Sequence, residues 1–201
     1  MVAAWAGATG FDRGLYGYRS FCTIIKAMKL IIAASLFAAT LAAQSAAPTP
    51  PKNPIVATSQ ALFGIAKSDI MRSLDRISED LWVYQPTPDV RTMGQLFAHV
   101  ADGQYEFCGA TAEGGAPQKD VEHTAKTKAD VTAALKEAFA YCDAQYAKMT
   151  DASAAGIVDF FGRKATRIGI MDFNIAHTME HYGNLVTYMR LKGIVPPSSS
   201  K

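Results

Sequence analysis

Apolar residues recur at steps of three and four along four long stretches of this sequence, and no other feature constrains the fold as strongly. Such a period places apolar side chains on one face of an α-helix. The predicted helices cover residues 55–82, 93–112, 128–149 and 166–192. The predicted buried face of the first helix consists of Leu62, Ala66, Ile70, Leu74, Ile77 and Leu81. For the third helix, the predicted buried residues are Val131, Leu135, Ala138, Cys142, Tyr146 and Met149.

Signals at the ends of these stretches support the four helices. Thr92 followed by Gln95 matches a capping box, and Thr127 followed by Asp130 makes a similar start. Proline or glycine follows the predicted ends, as in YQPTP, GGAP and the Gly193 segment. Each helix is therefore expected to stop locally rather than to continue into the next.

Four amphipathic helices without a sheet predict an all-α fold, specifically a four-helix bundle. The connections between the second, third and fourth helices are about 13–16 residues long, more than antiparallel neighbours need. At least one long crossover connection is therefore expected. The piece IVDFF could form a short extended segment before a turn at Gly162-Arg163, and no other strand is predicted.

Residues 1–45 have the chemistry of a secretory leader. Lys29 precedes an apolar run from Leu30 to Leu41, and small residues follow at possible cleavage sites. The run is shorter than the roughly 20 residues that span a bilayer, so a cleaved signal peptide is predicted over a permanent anchor. We expect an exported protein, periplasmic or secreted, that meets the membrane only through this signal. Translation is predicted to start at Met28.

The remaining chain divides into a Pro-rich linker (46–54), the bundle (55–197) and a short tail (198–201). The formal net charge of the whole chain is only +2, and no basic stripe is present. A nucleic-acid partner is therefore not expected. A homodimer is compatible with the sequence.

Two cysteines lie outside the leader, Cys108 and Cys142. In an oxidising compartment they could form a disulfide, provided that their helices are neighbours with Cα atoms within about 7 Å. Alternatively, each is a small buried apolar residue. The sequence leaves both interpretations open.

Three histidines have positions that predict a shared metal site. His177 and His181 are four residues apart, so both imidazoles can reach one ion from the same face of a helix. His99 lies in the second helix at core spacing, where a buried imidazole needs a partner. Each could separately be an ordinary hydrogen-bonded histidine, but a shared divalent ion accounts for all three. His123 lies in a polar stretch and is predicted to be solvated.

Polar residues near these histidines are weaker candidates. Glu180 completes HTMEH, which fits the H-x-x-E-H pattern in which the glutamate is a general base. No acidic residue follows it as the further ligand that this pattern requires. Asp102 could orient an imidazole or face solvent, and Asn174 could border the pocket. Asp102 and Glu180 therefore remain weak catalytic candidates.

Two segments, RTMGQLFAHV (91–100) and IAHTMEHYGNLVTYMRLKGIVPP (175–197), resemble the signatures of the DinB-like (DinB/YfiT) family. The resemblance extends over about residues 55–197. It implies an up-down-down-up four-helix bundle with a long crossover. It also implies a metal triad of His99, His177 and His181, with water at the remaining coordination positions. Family members bind nickel, zinc or other divalent ions, and some are transferases or isomerases that use low-molecular-weight bacterial thiols.

The sequence therefore predicts an exported divalent-metal-dependent hydrolase or transferase that acts on an unknown small molecule. Nickel or zinc is the expected ion. Three neutral nitrogens would leave its charge uncompensated, so a coordinated water would be acidified towards a pKa of about 7. The alternative is a non-catalytic periplasmic bundle that binds a metal or a small ligand. This sequence carries an export signal, whereas the characterised thiol transferases that it resembles are cytoplasmic.

Overall fold

The computed structural model describes residues 50–200, and the predicted leader with its start at Met28 lies outside them. In chain order, its elements are α1 (Pro54–Arg76), α2 (Met93–Ala110), α3 (Val121–Thr124), α4 (Lys128–Lys148), α5 (Asp151–Ala154), β1 (Ile157–Phe160), β2 (Arg163–Thr166) and α6 (Arg167–Leu191). Short 3-10 turns lie at Glu79–Leu81 and Pro197–Ser199. No helix within residues 50–200 is both long and apolar enough to cross a bilayer.

The four long helices have the predicted up-down-down-up order. Near the start of α1, Ser59 contacts Tyr146 near the end of α4 and donates to Asp172 near the start of α6. Thr111, just after α2, contacts Met171 near the start of α6. Helix α6 is thus parallel to α1 and antiparallel to α2, whereas α4 is antiparallel to α1. Because α2 and α4 point the same way, the chain between them crosses over the length of the bundle, and α3 lies in that crossover.

Helix α1 is shorter than predicted, and its predicted buried face is confirmed except near its start and at Leu81. It ends at Arg76, and Ile77 already has extended backbone. Leu62 is 50% exposed, whereas the neighbouring Phe63 is fully buried. The predicted residues Ala66, Ile70, Leu74 and Ile77 are buried, so packing changes the face only at its start, where Phe63 replaces Leu62. The predicted buried face of α4 is confirmed at all six positions.

Both predicted helix starts are confirmed. The Thr92 hydroxyl accepts from Gln95 N at 3.2 Å, and the Gln95 side chain accepts from Thr92 N at 2.9 Å. Thr127 and Asp130 make the same reciprocal pair before α4. An N-cap of this kind contributes roughly 1 kcal/mol to helix stability. These contacts fix where α2 begins and so set the position of His99 along the bundle.

The predicted extended segment is β1, but it pairs with a second strand, β2, which was not predicted. The turn is Phe161-Gly162, one residue earlier than predicted, and both residues have positive φ (50° and 73°). Two-residue hairpin loops favour such a turn because its twist matches that of the strands. The missed strand contains Arg163 and Lys164, which lack the apolar alternation that would have indicated it.

Cys108 of α2 and Cys142 of α4 form a disulfide, with Cα atoms 5.4 Å apart. Both residues are fully buried. The disulfide alternative is therefore the correct one, and it links the two parallel helices of the bundle.

The residues after Pro197, predicted as a tail, pack on the bundle. The Tyr182 hydroxyl donates to Ser198 Oγ at 2.7 Å, and the guanidinium of Arg76 donates to Ser200 Oγ at 2.9 Å. The C-terminal turn thus joins the ends of α1 and α6.

Candidate metal centre

Helices α2 and α6 bring the three predicted histidines together. His177 Nε2 lies 3.3 Å from His99 Nε2 and 3.1 Å from His181 Nε2. One ligand atom from each residue lies within 4.8 Å of the others. His181 is buried, whereas His99 and His177 are partly exposed. We call these three residues the triad.

Helical spacing on two antiparallel helices produces this convergence. His177 and His181 are one turn apart on α6, and His99 faces them from α2. One turn further along α2, Gly103 leaves room for an imidazole. A Cβ at that position would lie only 2.8 Å from His177 Cε1. The absence of a side chain at residue 103 therefore lets the His177 ring pack against the backbone of α2.

Two of the triad residues, His177 and His181, hold their imidazoles in the neutral form that coordinates metals. Burial, and then the neighbouring imidazoles of His181 and His99, lower the pKa of His177 to about 4. Burial, followed by His99, also lowers the pKa of His181 to about 4. The Nδ1 atoms of both residues are buried without a hydrogen-bond partner among residues 50–200. These imidazoles are thus uncharged at neutral pH.

A carboxylate from the crossover contacts the outer nitrogen of His99. Glu122 Oε2 lies 3.2 Å from His99 Nδ1, and Arg91 bonds both oxygens of the same carboxylate at 2.8 and 3.3 Å. Burial opposes ionisation of Glu122, but the contacts with Arg91 and then His99 outweigh it and lower the pKa of the carboxyl. Such an acceptor orients an imidazole with its other nitrogen towards the centre of the triad.

Asp102 has neither of the two roles predicted for it. Its carboxylate accepts from the backbone N–H groups of Val121 at 2.7 Å and Glu122 at 2.9 Å. It therefore holds the start of α3 and contributes to the triad only through Glu122. Glu180 is exposed, and it lines an open cleft together with His181.

The other two polar candidates lie outside the triad. His123 is exposed, as predicted, and pairs with Asp120 at 2.6 Å. Asn174 is buried and donates to Gln104 Oε1 at 2.7 Å, so it belongs to a separate amide cluster rather than to the pocket border.

Sequence reasoning missed Glu122, Arg91 and Gly103. Arg91 lies within the first segment that suggested the family, but nothing local indicated its partner. Glu122 belongs to a polar stretch without apolar periodicity, in which only an acidic residue beside a histidine was visible. Its contact with His99 spans 23 residues and requires the crossover to fold back along α2.

A cleft of about 680 Å³ opens beside the triad. His181 and Glu122 form part of its wall, and most of the remaining lining is polar or charged. The other lining residues are Gln85, Pro88, Asp89, Val90, Arg91, Gln95, Leu96, Glu180, Asn184 and Tyr188. A small molecule in this cleft would contact the triad at His181.

The donor geometry fits a divalent ion. Two nitrogens that bind one tetrahedral zinc ion at about 2.0–2.1 Å lie about 3.3 Å from each other. The two Nε2 separations of 3.1 and 3.3 Å match this value. Three imidazoles suit zinc, nickel, copper and iron alike, so the donor set indicates a divalent metal site without selecting the ion.

Comparison with known proteins gives consistent matches. The sequence profile described as the DinB superfamily matches residues 63–185. The chain is 27% identical over 128 residues to the uncharacterized protein YjoA of Bacillus subtilis strain 168. This match covers 59% of this chain and 79% of that protein.

Solved structures share the fold at low sequence identity. A DinB-like protein from Bacillus cereus ATCC 10987 has a TM-score of 0.61 and 18% identity, over 69% of this chain and 93% of that chain. The crystal structure of Bacillus subtilis YjoA gives 0.59 and 21%, over 74% of this chain and 100% of that chain. A mycothiol-dependent maleylpyruvate isomerase gives 0.55 and 14%, over 65% of this chain and 60% of that chain.

Proposed function

The chain belongs to the DinB superfamily, and on that premise we propose that it is an exported, divalent-metal-dependent hydrolase or transferase. The observation that carries this proposal is the convergence of three imidazoles, with Nε2 atoms 3.1 and 3.3 Å apart. In the proposed state, His99, His177 and His181 bind one nickel or zinc ion. The substrate is a small molecule that enters the adjacent cleft.

The protein groups around the triad have distinct roles in this proposal. The ion supplies Lewis-acid chemistry, which polarises a carbonyl or lowers the pKa of a nucleophile. Glu122 holds the proton of His99 Nδ1 and so keeps Nε2 free to coordinate. Arg91 forms an ion pair with Glu122 and also lines the cleft. Glu180, exposed on the cleft beside His181, is the candidate proton acceptor.

An open cleft supports an enzyme over a protein that only stores metal. In a protein that only stores metal, the ligands are expected to be closed off from solvent. Here, by contrast, His181 lines the open cleft. The shared fold with a mycothiol-dependent maleylpyruvate isomerase is consistent with an enzyme. A non-catalytic metal-binding protein remains the alternative that the experiment below distinguishes.

Two observations support export. The apolar run from Leu30 to Leu41 has signal-peptide chemistry. The buried disulfide between Cys108 and Cys142 is typical of proteins that fold in an oxidising compartment. Cell fractionation with N-terminal mass spectrometry tests this part, and a mature N-terminus upstream of Met28 would contradict it.

The central test measures metal and turnover on the full chain without a histidine tag. After loading with zinc or nickel, we expect one ion per chain, lost in His177→Ala and kept in the surface variant His123→Ala. The loaded protein is then assayed with panels of esters, amides and thiol-transfer substrates. Turnover that disappears only in His177→Ala supports the proposal. A stoichiometric ion without turnover favours metal binding alone, and no ion under any loading condition overturns the metal centre.

A further inference from the structure

The surroundings of the triad differ in chemistry between its two sides along the helices. The three histidines belong to facing rows of residues at one-turn spacing on α2 and α6. Towards the start of α2 and the end of α6, the rows continue with Gln95 and Asn184, which line the polar cleft. In the opposite direction, they continue with Phe107 and Phe173.

The aromatic end contacts the triad directly. The ring of Phe107 packs edge-on against His177 with centroids 5.0 Å apart, and against Phe173 at 5.3 Å. Phe160 of the hairpin lies 5.7 Å from Phe107, and Phe161 lies 4.3 Å from Phe160. A continuous chain of rings therefore leads from His177 to the tip of the hairpin.

Two of these rings face solvent. Phe161 is 72% exposed and Phe173 is 52% exposed, whereas Phe107 behind them is buried. Exposed apolar residues also occur elsewhere on the chain, so exposure alone does not indicate a site. The distinguishing feature is position: Phe173 lies one helical turn before His177, a rise of about 6 Å along the helix axis.

The backbone at Phe161 gives an independent indication. Its φ of 50° is in the left-handed region, which asparagine, aspartate and glycine adopt far more readily than an aromatic residue. Phe161 is the only non-glycine residue with positive φ within residues 50–200. A strained aromatic residue in solvent contributes little to folding, and such strain is concentrated at functional sites.

We propose that Phe161 and Phe173, backed by Phe107 and Phe160, form a subsite for an aryl or branched alkyl group of the substrate. This inference rests on the proposed metal-dependent function. The substrate class is an amphipathic small molecule with a metal-coordinating polar group at the triad. Its apolar group lies about one helical turn away, on the exposed phenyl rings.

Two hydroxamic acids test the subsite without knowledge of the substrate. Both bind metal through the same group, but acetohydroxamic acid has only a methyl group, whereas 3-phenylpropanohydroxamic acid can reach the rings. With the zinc-loaded full chain, we expect the phenyl probe to bind about tenfold more tightly in calorimetry, because it buries apolar surface on Phe161 and Phe173.

The variants separate this subsite from folding. Phe161→Asn removes the ring and places a favoured residue at the left-handed position, so the melting temperature should hold or rise. We expect the advantage of the phenyl probe to fall severalfold in Phe161→Asn and in Phe173→Ala. Leu62→Ala is the matched control, because it removes a half-exposed apolar side chain of α1 that is not part of the phenylalanine cluster.

The outcomes distinguish the subsite from the metal centre. If neither probe binds the zinc-loaded chain, both the metal-dependent function and the subsite are wrong. If acetohydroxamic acid binds and the phenyl probe has no advantage, the subsite alone is wrong. The same conclusion follows if the advantage persists in both phenylalanine variants. An advantage lost in those variants and kept in Leu62→Ala supports the subsite.

Discussion

Two polar clusters lie between α2 and α6, one turn apart, and they differ in how their polar atoms are paired. In the amide cluster, Gln104 Nε2 donates to Thr178 Oγ1 at 2.9 Å, and Asn174 Nδ2 donates to Gln104 Oε1 at 2.7 Å. Donors thus meet acceptors, and only Asn174 Oδ1 lacks a partner among residues 50–200. All but one of the polar groups named here are thus paired within the cluster.

The triad is arranged differently. Its three Nε2 atoms face one another, and the buried Nδ1 atoms of His177 and His181 have no partner within residues 50–200. A buried polar atom without a partner costs about 1–3 kcal/mol. The residues of the amide cluster therefore hold α2 and α6 together, whereas the residues of the triad are arranged to bind a ligand between them.

The largest expected difference between the clusters is in metal binding. Loss of a residue that only orients a metal ligand weakens metal binding by up to roughly 100-fold. We expect His181→Ala to weaken zinc binding by more than this, because it removes one of the ligands. Thr178→Val in the amide cluster should leave zinc affinity unchanged. Competition with a chromophoric chelator measures both affinities. Equal effects of the two variants would remove the distinction between the clusters.

The disulfide beside the amide cluster should dominate stability. It joins residues 34 positions apart, and loss of such a cross-link costs about 3–4 kcal/mol in the chain-entropy account. We expect this loss in the free energy of unfolding of the Cys108→Ala/Cys142→Ala variant, measured with urea. Zinc affinity of the folded variant should remain close to that of the parent chain. A large loss of zinc affinity would mean that this link also shapes the triad.

Within the amide cluster, Gln104→Leu should reduce stability without a large change in metal binding. It leaves the Asn174 amide and the Thr178 hydroxyl without their buried partner, at a cost of about 1–3 kcal/mol. Urea unfolding measures this cost. Glu106→Leu, on the exposed side of α2, is the matched control and should change stability by no more than about 0.5 kcal/mol. Equal stability of the two variants would show that the cluster contributes little.

The smallest expected effect concerns His99, whose outer nitrogen Nδ1 contacts the carboxylate of Glu122. Glu122→Ala should weaken zinc binding about 10–100-fold, because His99 loses the acceptor that orients it. His123→Ala, on the same short helix, provides the control. Nitrogen-15 NMR of the metal-free protein should also show that His99 carries its proton on Nδ1 only when Glu122 is present. An unchanged His99 signal in Glu122→Ala would refute the orienting role.

Much of the candidate site could be predicted from local patterns. His177 and His181 share one face because an α-helix repeats every 3.6 residues, and the caps at Thr92 and Thr127 involve residues three apart. These relations hold within a single helix, so the sequence suffices to predict them. His99 was predicted to join the pair because it lies at core spacing in another helix, and the resemblance to the family implied the same triad.

Relations between distant residues could not be predicted in the same way. Most of the predicted face of the first helix is buried, but only its neighbours determine that Phe63 is buried instead of Leu62. The Glu122 contact to His99 requires the crossover to return along α2. Phe160 and Phe161 reach the ring of Phe107 beside His177 only because of the hairpin that precedes α6.

The sequence by itself determined the four helices, their capped starts and a pair of histidines on one face. These follow from short-range periodicity and hydrogen bonding, which do not depend on the rest of the chain. Only the tertiary structure decided whether Cys108 and Cys142 pair, which carboxylate orients His99 and which aromatic rings lie beside His177. These depend on which surfaces meet when the helices pack, and the free energy of that packing belongs to the whole bundle rather than to any one segment.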